Sequence, residues 1–173
     1  MICEIASASI SFWLPTYISE RLSFGSLSGI LYSAISLSNS FTPFVAIFLL
    51  SLFKNNDIKM IRISFFAAAL LFAGVLLVEN PYLNLVFVAL SLIAVRVSST
   101  LLWGVYIPDQ AASGLVSTLN GFLDFTGYAA AAAANMVFSL SMSAIGWNGI
   151  VIMWISLPVF GLAVSLFAKS NRQ

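Results

Sequence analysis

Histidine is absent from this 173-residue chain, and cysteine occurs once, at Cys3. These two shortages exclude histidine-based catalysis, histidine metal sites and an intrachain disulfide. Charge is scarce as well, because seven basic and six acidic side chains make up only 8% of the residues, against about 25% in a soluble domain. No basic stripe is available for a nucleic-acid partner. No cluster of reactive side chains predicts an enzyme, a metal site or a cofactor.

Apolar residues dominate what is present. They form 61% of the chain, and the mean hydropathy is +1.04. Because a helix needs about 20 apolar residues to cross the hydrocarbon core, long apolar runs predict membrane spans. The sequence therefore predicts an all-α membrane protein in which residues 1–173 form one bundle. The expected six transmembrane helices cover residues 5–18, 26–53, 61–78, 82–107, 112–142 and 150–168.

The first predicted span is short and begins almost at residue 1, with Glu4 in its first turn. It has neither the basic region nor the small-residue cleavage site of a signal peptide. We therefore expect a helix that is truncated at its front, in a chain that is a fragment of a longer protein. Glu4 is expected at the cytoplasmic end of this helix or at the mouth of a cavity.

Basic residues outside the spans are distributed unevenly between the two sides of the predicted bundle. Only Arg21 belongs to one side, and five basic residues belong to the other. These five are Lys54, Lys59, Arg62, Lys169 and Arg172. The positive-inside rule places the side rich in lysine and arginine in the cytoplasm. With six spans, both termini are then cytoplasmic, and the expected location is the inner cell membrane.

Polar side chains are concentrated in four of the six predicted spans. The third and sixth spans carry almost none, which predicts outer helices that face lipid. The other four are rich in serine, threonine, asparagine and tyrosine, as expected for helices around a wet pathway. Tyr32, Asn39, Asn120 and Tyr128 are therefore candidate solute-binding residues. The alternative is that such side chains only pack helices together or bond to neighbouring backbone.

Arg96 and Asp124 are the two ionisable residues in the middle of predicted spans. Each costs roughly 2.5–3.5 kcal/mol to insert, so an intramembrane charge is by default a functional hypothesis. Both lie ~20 Å from the turn near Asp109 and Gln110 at 1.5 Å per residue, which predicts equal depth and a possible ion pair. Such a pair either lines a solute or proton path or only fixes the register of the helices.

Several strings of residues resemble one family, the organophosphate/inorganic phosphate antiporters of the major facilitator superfamily. The end of the family's seventh helix is similar to Trp13-Leu14-Pro15-Thr16-Tyr17-Ile18-Ser19-Glu20. Its eleventh helix is similar to residues 113–135, with Gly121-Phe122-Leu123-Asp124-Phe125 and Gly127-Tyr128. The loop before its twelfth helix is similar to Gly146-Trp147-Asn148-Gly149. Their order and spacing cover essentially the whole chain.

The resemblance implies that the chain is the C-terminal half, helices seven to twelve, of a secondary transporter for a small anionic or polar solute. Its partners would be the lipid bilayer, the solute and an N-terminal six-helix half, without which transport is not expected. One departure matters, since the family's substrate-binding arginine has no counterpart around Ser7. The alternative is a non-transporting membrane fragment or an interaction subunit.

Overall fold

The computed structural model describes residues 2–53, 56–108 and 114–167, and every regular element within these ranges is helical, as predicted. The elements in chain order are α1 (Ile2–Thr16), a π-helix that continues it (Tyr17–Arg21), a 3₁₀ turn (Gly25–Leu27), α2 (Ser28–Ser40), α3 (Thr42–Leu52), α4 (Asp57–Leu77), α5 (Pro81–Leu101), a second π-helix (Leu102–Tyr106) and α6 (Val116–Phe167).

Three helical stretches in the described part of the chain are long and apolar enough to cross a membrane, namely Asp57–Leu77, Pro81–Val105 and Val116–Phe167. The pair Gly25–Ser40 and Thr42–Leu52 adds a fourth when its two parts count as one span. Helix α1 has 15 residues, and at ~22 Å it is shorter than a hydrocarbon core of ~30 Å. Apolar helices of this kind fit a membrane protein.

The second predicted span is bent where the sequence places Pro43. Helices α2 and α3 meet at Phe41 with a bend of 41°. Proline has no N–H to donate to the carbonyl four residues earlier, so it cannot continue a helix, but it fits the first turn of a new one. Pro43 occupies that first turn in α3. Pro43 therefore begins α3 instead of continuing α2, which accounts for the bend.

Helix α6 is broken at Gly146, whose φ of 60° and ψ of −170° are not helical. A continuous helix of 52 residues would be ~78 Å long, more than twice the thickness of the hydrocarbon core. Glycine supplies the positive φ that other residues avoid. We refer to the two parts as α6a (116–145) and α6b (147–167), which are ~45 Å and ~32 Å long.

Helix α1 and the π-helix that continues it contact several other helices of the bundle. Helix α1 packs against α6, α5 and α2, and Ala6, Ile10, Leu14 and Ile18 form one fully buried stripe at a spacing of four residues. This stripe belongs to the main hydrophobic core, to which α4, α5 and α6b also contribute. Because α1 lies between α5 and α6a, it decides which side chains of those two helices can meet.

Helix α4 approaches its neighbours through glycines. A Cβ atom on Gly74 would lie 2.5 Å from the Phe87 ring of α5, and one on Gly161 would lie 2.7 Å from the Phe65 ring of α4. Small residues let helix backbones come close in a membrane, where packing rather than water exclusion drives association. Helix α4 is therefore packed tightly between α5 and α6b.

One basic residue of the predicted cytoplasmic side caps a helix. The Arg62 guanidinium donates hydrogen bonds to the carbonyl of Ser165, at 3.1 and 2.9 Å, and to that of Leu166 at 3.3 Å. The last carbonyls of a helix have no intrahelical partner, and a cation there is favourable. Lys59, in the first turn of α4, has its Nζ 5.9 Å from the centre of the Phe53 ring. The other three, Lys54, Lys169 and Arg172, lie outside the described residues.

The outer faces of α4 and α6b are apolar and exposed. Leu77 is 82% exposed, and Phe66, Leu70, Phe160 and Phe167 also point outward. Exposed apolar surface of this extent marks a membrane or protein contact.

Candidate solute-binding cleft

Two adjoining open cavities, with volumes of about 290 and 410 Å³, share Arg96 as a lining residue. Ser11, Asn39, Ser40 and Arg96 line both of them. We call the two cavities together the Arg96 cleft. Their walls come from α1, α2, α3 and α5, with Tyr128 of α6a, and no lining residue comes from the described parts of α4 or α6b. The cleft is therefore lined by the four predicted spans that are rich in polar residues.

Arg96 is placed by the middle of α5, with its backbone in a regular turn. Thr100 Oγ1 donates to the Arg96 carbonyl at 2.9 Å, which is a bond within the helix, and Arg96 lines both cavities. The Nε atom of Arg96 is buried and has no hydrogen-bond partner among the described residues. Burying an unpaired polar group is costly. The side chain is therefore suited to receive an anionic or hydrogen-bond-accepting group from outside the chain.

Other unpaired polar atoms lie around the same cleft. Ser7 Oγ, Asn39 Oδ1 and Thr42 Oγ1 are buried without a hydrogen-bond partner in the described part of the protein, and all three residues line the larger cavity together with Arg96. Buried polar groups of folded proteins normally have a partner, which can be water or a ligand. The clustering of four orphaned residues on one cavity therefore indicates a hydrated or solute-filled space.

Glu4 lines the larger cavity from α1, and α5 holds it there. Its Oε1 accepts hydrogen bonds from Ser99 Oγ and, at 3.1 Å, from the indole N–H of Trp103. The sequence predicted a position at the cytoplasmic end or a cavity mouth, and the structure places Glu4 among the lining residues. This agrees with the cavity-mouth alternative, but Glu4 was not among the predicted solute-binding residues, although an acidic residue at the edge of an apolar span was a signal for it.

The predicted contact between Arg96 and Asp124 is wrong. No ion pair joins the two side chains within the ranges that the structure describes, and Asp124 is exposed on α6a. It lines a small pocket of about 20 Å³ with Glu4, Ala8 and Tyr128, which the larger cavity shares, but not with Arg96. The two side chains do not meet because α1 packs between α5, which carries Arg96, and α6a, which carries Asp124. The turn from which equal depth was derived lies outside the described residues.

The remaining candidates divide into two groups. The structure brings Asn39 and Tyr32 to the Arg96 cleft, and Tyr128, which is 75% exposed, reaches its edge. Asn120 is half-buried with an unpaired Oδ1, and it is not among the residues that line the cleft. Tyr128 and Ser40 are both exposed, so the larger cavity opens to the surface between α6a and the α2–α3 pair.

No protein-family model, curated protein or solved structure matches this chain. The functional argument therefore depends on the chemistry of the cleft and on the sequence resemblance.

Proposed function

We propose that the chain is the C-terminal six-helix half of a major facilitator secondary transporter, similar to the organophosphate/inorganic phosphate antiporters. The observation that carries the proposal is Arg96, a half-buried cation in the middle of an apolar helix whose Nε lacks a protein partner and whose side chain lines a polar cleft. Transporters of this type bind solute near the middle of the membrane between two bundles. The solute is a small anionic or polar molecule.

The six-span arrangement is supported by the break in α6. With Gly146 as a turn, α6a and α6b each have the length of a span, and the bent α2–α3 pair, α4 and the two π-extended helices α1 and α5 supply the other four. Helices α1 and α5 are antiparallel, because Tyr17 bonds to Asn84 near one end and Glu4 bonds to Trp103 near the other. In this proposal the chain is a multi-pass protein of the inner membrane with both termini in the cytoplasm.

A second six-helix bundle is the proposed partner. The cleft is lined in part by Thr42 and Pro43 of α3 and Tyr128 of α6a. The same two helices carry exposed phenylalanines, namely Phe44, Phe48, Phe122 and Phe125. Since alternating access requires two bundles that rock around one site, the face formed by these two helices is where the N-terminal half would pack. Transport is then a property of the two halves together, whereas solute binding can be measured on this chain.

The test is the binding of inorganic phosphate and of succinate to the purified chain in lipid nanodiscs. Replacing Arg96 by Gln keeps a polar side chain of similar length but removes the charge. Hydrogen bonds to charged groups contribute roughly 1.5–3 kcal/mol, so we expect the affinity for any anion that binds to fall about tenfold or more. Isothermal titration calorimetry measures the change.

Arg21→Gln is the matched control, because Arg21 is exposed and bonds to Asn148 at the opposite end of the bundle. It should leave the affinity unchanged. Equal anion affinity in the Arg96→Gln protein and the unaltered protein would contradict the proposed site. If neither anion binds the unaltered chain, the result would favour the alternative that the chain is a non-transporting interaction subunit.

A further inference from the structure

Two opposite charges face the larger cavity without pairing with each other. Arg96 and Glu4 both line it, yet no ion pair within 4 Å joins them among the residues that the structure describes. Arg96 and Glu4 are both half-buried, and an ion pair would offset part of the cost of burying each charge. Here the fold holds them apart, and the space between them is available to a ligand.

The position of Glu4 is set by neutral donors of α5 and of the π-helix that continues it. Ser99 Oγ and Trp103 Nε1 both donate to Oε1, so they orient the carboxylate without cancelling its charge. No bond to the other carboxylate oxygen, Oε2, is found in the described ranges. Glu4 therefore presents an oriented acceptor to the cavity, which suits a group that donates hydrogen bonds and carries positive charge.

The hydrogen-bond donors of Glu4 lie further along the helical stretch that carries Arg96. Ser99 and Trp103 follow Arg96 on the same helix by three and seven residues, which corresponds to ~4.5 and ~10 Å along the axis. The carboxylate is thus held one to two turns away from the base of the arginine side chain. Asp124 adds a second carboxylate on the Glu4 side, since both line the small adjoining pocket. Tyr128 is the other titratable residue of that pocket.

We infer that the cleft binds a small zwitterion, whose anionic group meets the Arg96 guanidinium and whose ammonium group meets the Glu4 carboxylate. This inference rests on the proposed function, because it names the class of solute for the same site. A solute with one charge would satisfy Arg96 or Glu4 and leave the other unpaired and partly desolvated, which costs affinity. The depth of Arg96 on α5 favours a dissolved solute over the head group of a lipid.

The experiment uses three related probes and the full chain in nanodiscs of phosphatidylglycerol, whose head group is not zwitterionic. The probes are phosphoethanolamine, ethyl phosphate, which lacks the amine, and ethanolamine, which lacks the phosphate. We expect phosphoethanolamine to bind at least tenfold more tightly than either of the others. A parallel titration in discs that also contain phosphatidylethanolamine should give the same affinity, and weaker binding there would overturn the assignment to a dissolved solute.

The variant Glu4→Gln tests whether Glu4 binds the ammonium group of the solute. Glutamine keeps an oxygen that can accept from Ser99 and Trp103, so the fold should be preserved, which the melting temperature checks. The affinity for phosphoethanolamine should fall at least tenfold, to that of ethyl phosphate, and the affinity for ethyl phosphate should not decrease. Glu79→Gln is the control, because Glu79 is exposed and lines a different cavity, next to Arg21.

The outcomes separate this inference from the proposed function. If ethyl phosphate binds as tightly as phosphoethanolamine, and Glu4→Gln leaves that order unchanged while Arg96→Gln abolishes both, the solute is a simple anion. The zwitterion inference is then overturned and the proposed anion site stands. Preferential binding of ethanolamine would overturn both, as would the absence of binding by all three probes.

Discussion

Replacing Trp154 by Ala should lower the free energy of unfolding by about 3–5 kcal/mol, the range for a large aromatic residue removed from a packed core. Trp154 is completely buried, with 0% of its side chain exposed. Its ring centroid lies 5.8 Å from that of Tyr17 and 6.2 Å from that of Phe72. Aromatic pairs add to the contribution of buried area alone, and here one ring connects α6b with α1 and α4. Unfolding of the purified protein in mixed micelles measures the loss.

Ile152→Ala is the matched control on the same helix. Ile152 is 57% exposed on the outer face, and such substitutions usually change stability by less than about 0.5 kcal/mol. Similar losses for the two variants would mean that α6b does not pack through Trp154 as described. A large loss of stability in Ile152→Ala, with none in Trp154→Ala, would mean that the buried and exposed faces of α6b are the opposite of those described.

Asn84→Leu should destabilise the protein by about 3 kcal/mol, since it removes the partner of two buried groups and one partly buried group, and an unsatisfied buried group costs about 1–3 kcal/mol. The Asn84 side chain accepts from Tyr17 Oη at 2.7 Å and donates to the carbonyls of Val75 and Val78 at 2.8 and 3.0 Å. It thereby joins α1 to the end of α4. Chemical unfolding of the variant and of the unaltered chain gives the difference.

A double-mutant cycle with Tyr17→Phe isolates the bond between the two side chains. The double variant should lose less than the sum of the single variants, because they share one interaction. Asn148→Leu is the control, as Asn148 is exposed and accepts a bond from Arg21 only at 3.3 Å. If the losses of stability in Tyr17→Phe and Asn84→Leu are strictly additive, the result would contradict the hydrogen bond between these two side chains.

Local features of the fold were predictable from the sequence because they depend on single residues. Pro43 marks the bend between α2 and α3, and Gly146 with its neighbours marks the break in α6. Asn80 and Asn56 accept backbone hydrogen bonds as N-caps of α5 and α4, as short polar residues do at helix starts. Such signals act within a few residues, so no knowledge of the partner helices is needed.

The lateral order of the helices was not predictable in the same way. Counting residues from a turn gives the depth of Arg96 and Asp124, but depth says nothing about which helix stands between them. Helix α1 occupies that place, so Arg96 shares its cavity with Glu4 instead. Glu4 was missed as a partner because an acidic residue in a first turn is equally explained by the helix dipole. Asn39 and Tyr32 were found because their helix is rich in polar residues.

The six-span arrangement, on which the cleft and the second bundle depend, is tested most directly by cysteine accessibility. In a Cys3→Ser background, the exposed residues Ser26, Lys59, Glu79 and Asn148 are replaced by Cys one at a time. A membrane-impermeant maleimide should label positions 26, 79 and 148 in intact cells, and position 59 only after permeabilisation. Labelling of positions 148 and 59 from the same side would contradict the account, because α4, α5 and α6a would then not be three successive spans.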